Sequence, residues 1–280
     1  MSAPAPLLAI VGTTPNIGTT VAAFALAYRL ASQGTGSVGY LCLNLKSAKT
    51  HRYLGNDKPE TMLDSLRPEL ATGSLNTDKL LHAMQAVSGN ESLKVLFGNM
   101  MRDQAEYFTP PEIEHLLDTA QRTFDIVIAD VGAYWDNAAT VCALRRADAR
   151  LLVTTPALSH FQEDGRRWMK QMSPLFGIPG DAYELIVIHP PHRTCVYQTK
   201  DICKEMDVTL MGELRLSEKL LPQLDSGTID EWLAYDEQGK QAMTEPAQRI
   251  MKRYGLQRRP VMAVQPWYKK LMTHRGGRIS

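Results

Sequence analysis

The sequence predicts a doubly wound α/β fold, in which helices cover both faces of a mostly parallel sheet. Apolar runs of strand length alternate with helical segments along the chain, which is the pattern of such sheets. Runs such as Phe124–Asp130 are apolar on both faces, as strands buried from both sides are. The first run, Leu7–Val11, leads through a glycine-containing loop into the Ala- and Leu-rich helix Val21–Ala31. The rest of the chain is organised around this strand, loop and helix.

The remaining elements follow from apolar periodicity and from the residues that start helices. The further predicted strands are Ser37–Leu45, Leu93–Phe97, Phe124–Asp130, Ala149–Thr155, Tyr183–His189 and Val208–Leu214. The further predicted helices are Thr61–Leu70, Asn76–Val87, Glu112–Thr123, Ala138–Ala147 and Phe161–Leu175. The polar segment Lys46–Pro59 is predicted to be a loop. We expect residues 1–232 to form one domain and residues 233–280 a helical and irregular basic C-terminal extension.

Composition limits the classes of function. The chain has 280 residues, 44% of them hydrophobic, which suffices for one large α/β core. No apolar run reaches the roughly 18 residues of a membrane span, and the N-terminal segment reads as a first strand rather than a signal peptide. The four cysteines are scattered without a C-x-x-C pair. We therefore expect reduced thiols and a cytoplasmic protein.

The charge is distributed unevenly. Residues 247–280 carry nine Lys or Arg and no Asp or Glu, which leaves 22 basic against 30 acidic residues in the rest. Trp267 and Tyr268 stand beside Lys269 and Lys270, a combination that suits the inner face of a membrane or an acidic partner. The alternative is an arm that packs on the acidic body or on a second subunit. The acidic body argues against nucleic-acid binding.

The loop after the first strand is a candidate phosphate site. Its residues are Thr13, Thr14, Pro15, Asn16, Ile17, Gly18, Thr19 and Thr20. Amides at a helix N-terminus attract anions, Gly18 permits close approach, and Thr19 or Thr20 offers a hydroxyl. The lysine of the usual G-x-x-x-x-G-K-[ST] pattern is replaced by Thr19. The alternative is an ordinary strand–turn–helix whose Gly and Thr residues only cap the helix.

Four segments, in order, resemble the MinD/ParA group of deviant P-loop ATPases. They are VGTTPNIGTTVAA, FDIVIADVGAYWDNAATVCALRRADARLLVTTPALSHFQ, LIVIHPP and LMGELRLSEKLLPQLDSG. The resemblance covers roughly residues 7–233. The stretch Leu93–Asp130 is more similar to the CpaE/TadZ-like branch, which places pilus and secretion machinery. The loop is also similar to that of dethiobiotin synthetase, an enzyme of the same fold class.

The resemblance implies ATP or ADP with Mg²⁺ as ligands. It places the Mg²⁺ hydroxyl on Thr20, a second Mg²⁺ ligand on Asp130 and the base-reading residue on His189. The two lysines of the family fall on Thr14 and Thr19 and its paired aspartates on Cys42 and Asn44. Lys46 is our preferred substitute cation, and Lys49, Arg193 and Arg215 are other candidates.

Phosphoryl transfer depends on positioned charge, and each lost donor costs about 10²–10³ in rate. The resemblance therefore implies a dimeric positioning or assembly protein with weak or absent hydrolysis, serving a pilus, secretion or partition assembly. The alternatives are an ATP-dependent small-molecule enzyme like dethiobiotin synthetase and a dimeric scaffold that has lost the nucleotide.

Overall fold

The computed structural model describes residues 3–34, 36–191 and 196–256. The strands are β1 Leu7–Gly12, β2 Val38–Leu43, β3 Gln85–Val87, β4 Asn90–Leu96, β5 Ile126–Val131, β6 Ala149–Thr154, β7 Tyr183–His189 and β8 Thr209–Arg215. The α-helices are α1 Thr19–Ser32, α2 Thr50–Tyr53, α3 Arg67–Ala71, α4 Thr77–Ala83, α5 Pro110–Thr123, α6 Ala138–Arg146, α7 Ser173–Leu175, α8 Thr199–Met206, α9 Leu220–Ser226, α10 Ile229–Tyr235, α11 Glu237–Gln241 and α12 Thr244–Tyr254. Two 3₁₀ segments, Leu63–Leu66 and Arg102–Tyr107, and two π-helical segments, Ser159–Gly165 and Arg167–Met172, complete the described elements.

The eight strands form one sheet in the order β3-β4-β2-β5-β1-β6-β7-β8. All neighbours are parallel except β3 and β4. The central strand β1 lies between β5 and β6, and Ile10 stands opposite Asp130 of β5. The predicted doubly wound, mostly parallel sheet is confirmed. The loops that follow β1, β2 and β5 meet at the carboxyl edge of this sheet, where ligands bind in such folds.

Two apolar clusters lie on the two faces of the sheet. Ile10, Ile128 and Tyr40 point into one cluster with residues of α1 and of the C-terminal helices, and Phe24 of α1 meets the Tyr40 ring edge-on at 5.5 Å. Val11 and Val127 point into the other cluster with α5 and α6. Because each central strand contributes to both clusters in alternation, the sheet is covered on both sides.

Four predicted elements differ in the structure. The helix predicted over Thr61–Leu70 starts at Leu63 as a 3₁₀ turn, because Met62 is extended, and is α-helical only from Arg67. The helix predicted through Val87 ends at Ala83, because Met84 is extended and the chain returns as β3 along β4. The helix predicted over Phe161–Leu175 is wound mostly as a π-helix. The predicted loop Lys46–Pro59 contains the single helical turn α2.

The C-terminal helices pack on α1 through one buried arginine. Arg29 of α1 donates to the carbonyl oxygens of Leu233, Gly239 and Ala242 at 2.5 to 3.1 Å. Leu233 is fully buried in the same cluster as β1 and α1. The boundary expected between residues 232 and 233 lies inside α10, and the described part of the extension is packed onto the sheet domain.

Candidate functional site

The loop between β1 and α1 is held in a tight, glycine-dependent conformation. A Cβ on Gly12 would lie 2.5 Å from Oγ1 of Thr19 and 2.9 Å from the carbonyl oxygen of Thr14. Gly18, the residue before α1, has φ of +98°, and Asn16 is also left-handed with φ of +62°. Glycine adopts such angles at little cost, whereas other residues are strained there. The loop therefore curls around the start of α1.

The amides of this loop are available to a ligand. None of the backbone N–H groups from Thr14 to Val21 donates a hydrogen bond to a described residue, and the first such donor in α1 is Ala22, to the carbonyl of Gly18. No side chain of the described residues caps α1, and its first turn has no acidic residue. Free amides and the helix dipole together favour an anion at this position.

A cavity of about 550 Å³ opens in front of these amides, and residues 14–21 line its floor. Part of the lining is apolar and comprises Ile188, Leu216, Leu220 and Leu224. Another part is polar and comprises Asn44, Ser47, Lys49 and Tyr134. Amides that donate to no described residue, together with apolar and polar walls, match the chemistry of a nucleotide, which has an apolar base and charged phosphates.

Two residues of the loop form hydrogen bonds with other parts of the protein. Thr13 donates its N–H to Val153 at 2.8 Å and its hydroxyl to Thr154 at 3.2 Å, and its carbonyl accepts the Trp168 indole N–H at 3.0 Å. The hydroxyl of Thr14 donates to Asp164 at 2.5 Å. Thr13 is buried and lies behind the cavity, whereas Thr14 lines it.

Asp130 is a fully buried carboxylate at the end of β5. One oxygen accepts the Tyr40 hydroxyl at 2.9 Å, and the other has no hydrogen-bond partner among the described residues. Burial raises the pKa of Asp130 to about 7, although the hydroxyls of Thr20 and Tyr40 favour its charged form. Thr20 lies close enough to lower this pKa, yet no hydrogen bond of normal geometry joins the two side chains.

This arrangement fits a magnesium ion. An unpartnered carboxylate oxygen and a nearby threonine hydroxyl are hard oxygen donors of the kind that Mg²⁺ prefers. In the described part of the chain no group of three or more His, Cys, Asp or Glu could hold a metal ion. Oxygens of a bound phosphate would therefore have to complete the coordination, as is usual for Mg²⁺.

The structure places Lys46 and Lys49 on different sides of a turn. The Ser47 N–H donates to the Asn44 carbonyl at 2.9 Å, which closes the turn after β2. Lys46 forms ion pairs with Asp136 and with Glu106 and does not line the cavity. Lys49 lines the cavity and has no ion pair with a described residue. Lys49, and not our preferred Lys46, therefore lines the cavity, and the choice between the two cations stays a prediction.

The other predicted cations and the base-reading residue also lie outside the cavity. His189 is 3.1 Å from Glu213 through Nε2, and Arg215 is exposed at the end of β8. Their chain neighbours Ile188, Pro190 and Leu216 line the cavity instead. Side chains alternate along a strand, so His189 points away from the face that Ile188 lines. Arg193 lies outside the described residues.

Sequence reasoning missed the apolar wall of the cavity and two polar residues that line it. Leu220 and Leu224 belong to α9, in a stretch that the sequence predicts only as helical and irregular. Tyr134 and His160 also line the cavity, and His160 Nδ1 lies 2.8 Å from the hydroxyl of Thr155. The i, i+4 spacing of Leu220 and Leu224 was the signal that would have found this helix.

The basic tail is described only in part. Arg253 of α12 pairs with Glu184 of β7 through both terminal nitrogens, and Arg249 donates to the Leu210 carbonyl at 2.9 Å. These contacts hold α12 on the sheet domain. Trp267, Tyr268, Lys269 and Lys270 lie outside the described residues. Within those residues, no helix is both long enough and apolar enough to traverse a bilayer.

No protein-family model matches the chain. A curated relative, described as a putative tyrosine-protein kinase EpsB of Ralstonia solanacearum, is 26% identical over 148 residues. The match covers 53% of this chain, and the chain spans only 18% of the length of that relative.

Solved structures resemble the chain over most of its length. A ParA family ATPase from Chlorobium tepidum is 20% identical, with a TM-score of 0.72, over 87% of this chain and 98% of its own. The septum site-determining protein MinD of Pyrococcus horikoshii, complexed with Mg-ADP, is 16% identical, with a TM-score of 0.73, over 92% and 100%. MinD in the MinC:MinD cell division complex of Aquifex aeolicus is 17% identical, with a TM-score of 0.68, over 89% and 96%. The chain has the fold of the MinD/ParA P-loop ATPases, which confirms the fold that the resemblance implied.

Proposed function

We propose that this protein binds ATP or ADP with Mg²⁺ in the cavity in front of residues 14–21 and acts as a MinD/ParA-like positioning or assembly protein. The observation that carries the proposal is the row of loop amides that donate to no described residue and border a cavity of nucleotide size. The buried, half-partnered carboxylate of Asp130 beside Thr20 supports a magnesium ion at the phosphate end. The MinD structure of similar fold holds Mg-ADP.

The loop is a degenerate P-loop in this proposal, and hydrolysis is weak or absent. Thr14 and Thr19 stand where lysines would neutralise phosphate charge, and Thr14 is engaged with Asp164. Asn44, which lines the cavity, is also neutral. Cations and oriented water account for much of the rate of phosphoryl transfer. Lys49 is the cation that we assign to the phosphates.

We extend the proposal to partners. The chain self-associates and recruits a larger assembly, with pilus or secretion machinery as the preferred class and plasmid partition as the other. MinD of similar fold occurs in a complex with MinC, which supports a protein partner in general. The proposed place of action is the cytoplasm, with contact at the inner membrane face through residues beyond 256.

Calorimetric titration of the full chain with Mg-ADP and Mg-ATP tests the proposal. We expect saturable binding of both, weakened about tenfold by Thr20→Val, which removes a hydroxyl without changing side-chain size. Thr77→Val is the matched control, because Thr77 also begins a helix but lies outside the cavity. Absence of binding would leave the scaffold alternative. Turnover at about 1 s⁻¹ or faster would contradict weak hydrolysis.

A further inference from the structure

A second cleft lies beside the nucleotide cavity. It has a volume of about 370 Å³ and shares Asn16, Ser47, Lys49 and Tyr134 with the first cavity. The two openings therefore adjoin at these four residues. The residues that belong to the second cleft alone come from the turn after β2, from α2 and from the segment after β4.

The second cleft carries a surplus of positive charge. Arg52 and Arg102 line it, and neither forms an ion pair with a described residue. The Arg102 guanidinium lies 5.9 Å from the centre of the Tyr134 ring. Among the described residues no aspartate or glutamate lines the cleft. Of the carboxylates beside it, Asp136 and Glu106 pair with Lys46, and Asp64 accepts the N–H of Met100 at 2.7 Å. Unpaired arginines converging on a concave surface are typical of sites for anions.

Two deeply buried polar side chains in the cleft each have one atom without a hydrogen-bond partner among the described residues. Asn99 is 2% exposed; its Nδ2 donates to the Met101 carbonyl at 2.6 Å, but its Oδ1 has no hydrogen-bond partner in the described residues. His51 is 5% exposed, and its Nδ1 is likewise without a partner in the described residues. Buried polar atoms are nearly always hydrogen-bonded in folded proteins. Asn99 therefore offers an unused acceptor oxygen in the wall of the cleft.

We propose that this second cleft binds a small multivalent anion that also carries a hydrogen-bond donor, such as a hydroxylated carboxylate or a sugar phosphate. Arg52 and Arg102 hold its charged groups, and Asn99 accepts the hydroxyl or amino donor. Lys49 stands between this ligand and the nucleotide cavity. The residues that hold the ligand, Arg52, Arg102 and Asn99, line the second cleft alone, so the proposal does not rest on the proposed function.

Calorimetry of the full chain in magnesium-free buffer tests the site with two probes, citrate for the carboxylate class and fructose 1,6-bisphosphate for the phosphate class. We expect saturable binding of at least one probe, weakened about fivefold or more by Arg52→Gln and by Arg102→Gln. Arg122→Gln is the matched control, because Arg122 is exposed and lies on α5 away from both cavities. Gly18→Ala should leave probe binding within about twofold while it impairs binding of ADP.

The outcomes separate the two proposals. Loss of ADP binding alone would count against the nucleotide site and leave the second cleft in place. The second site is overturned if neither probe binds saturably, if both arginine variants bind like the wild type, or if Gly18→Ala weakens the probe as it weakens ADP.

A matched pair of ligands tests whether Asn99 accepts a hydrogen bond from the ligand. Tricarballylate differs from citrate only by the missing hydroxyl. We expect citrate to bind at least about threefold more tightly, and Asn99→Leu to remove that preference without lowering the affinity for tricarballylate. Equal affinities of the wild type for the two acids would refute the assignment of Asn99.

Discussion

The indole N–H of Trp168 donates to the main-chain oxygen of Thr13 across 3.0 Å and so joins the π-helical segment Arg167–Met172 to the loop after β1. Trp168 is 2% exposed, and its ring lies 3.6 Å from that of Trp135, centre to centre. The loop is thus held from behind, on the side away from the cavity. The loop conformation depends on this hydrogen bond and on the bonds of Thr13 to β6.

Replacing Trp168 by Phe should destabilise the fold more than replacing Trp232 by Phe. Both indoles are 2% exposed, so the two changes remove similar apolar volume. The Trp232 N–H has no partner among the described residues, whereas the Trp168 N–H bonds to Thr13. The difference in free energy of unfolding, measured by urea denaturation, should be about 1–2 kcal/mol. Equal losses would show that the hydrogen bond contributes nothing.

Gly18→Ala should weaken binding of Mg-ADP at least about tenfold. The new Cβ would lie 3.2 Å from Ile188, and alanine is strained at the left-handed φ that this position requires. Gly73→Ala is the control. Gly73 is also left-handed, with φ of +66°, but a Cβ there meets nothing within 4 Å. Both variants should lose about 1 kcal/mol of stability, and only Gly18→Ala should lose affinity in calorimetry.

Lys49→Ala should lower the affinity for Mg-ADP about threefold to tenfold, because Lys49 lines the cavity without an ion pair in the described part of the chain. Lys46→Ala should change the affinity less than about twofold, since Lys46 is engaged by Asp136 and Glu106. Nucleotide titrations of the two variants side by side measure the difference. A larger effect from Lys46→Ala would restore our original preference for Lys46.

Asp130→Asn should stabilise the protein at pH 8 and lose this advantage toward pH 4. Burial raises the pKa of Asp130 from 3.8 to about 7, so between these values the folded state binds more protons than the unfolded state. Wild-type stability therefore falls as pH rises from about 4 to 7, by up to roughly 4 kcal/mol at 1.4 kcal/mol per pKa unit. Asn keeps an acceptor for Tyr40 but cannot ionise.

Thermal melts of the wild type and Asp130→Asn from pH 4.5 to 8.5 measure this effect. Mg-ADP should stabilise the wild type more than the variant, because the variant lacks the anionic oxygen for the metal. A constant difference in melting temperature across the pH range would contradict the assigned cause.

The sequence allowed the central part of the fold and the loop to be predicted, because both depend on local patterns. Strands apolar on both faces and a glycine-bearing loop before an Ala-rich helix leave few alternatives. The placement of Asp130 at the carboxyl edge next to Cys42 follows from parallel pairing of β5 with β2. These features required no knowledge of side-chain direction.

Side-chain direction outside the central strands could not be predicted. The turn after Asn44 sends Lys46 and Lys49 to different places, and its shape is fixed by contacts with distant segments. His189 points away from the cavity because the register of β7 assigns Ile188 to that face. The end of α4 was missed for a similar reason, since pairing of Gln85 with Val95 overrides the local helical preference.

The short antiparallel strand β3 forms one edge of the sheet. It has three residues, runs antiparallel to β4 and changes register between Ala86 and Val87. A short, irregular edge strand offers few aligned N–H and C=O groups to a strand from another molecule. Extension of the sheet by a strand from another molecule is therefore disfavoured at this edge.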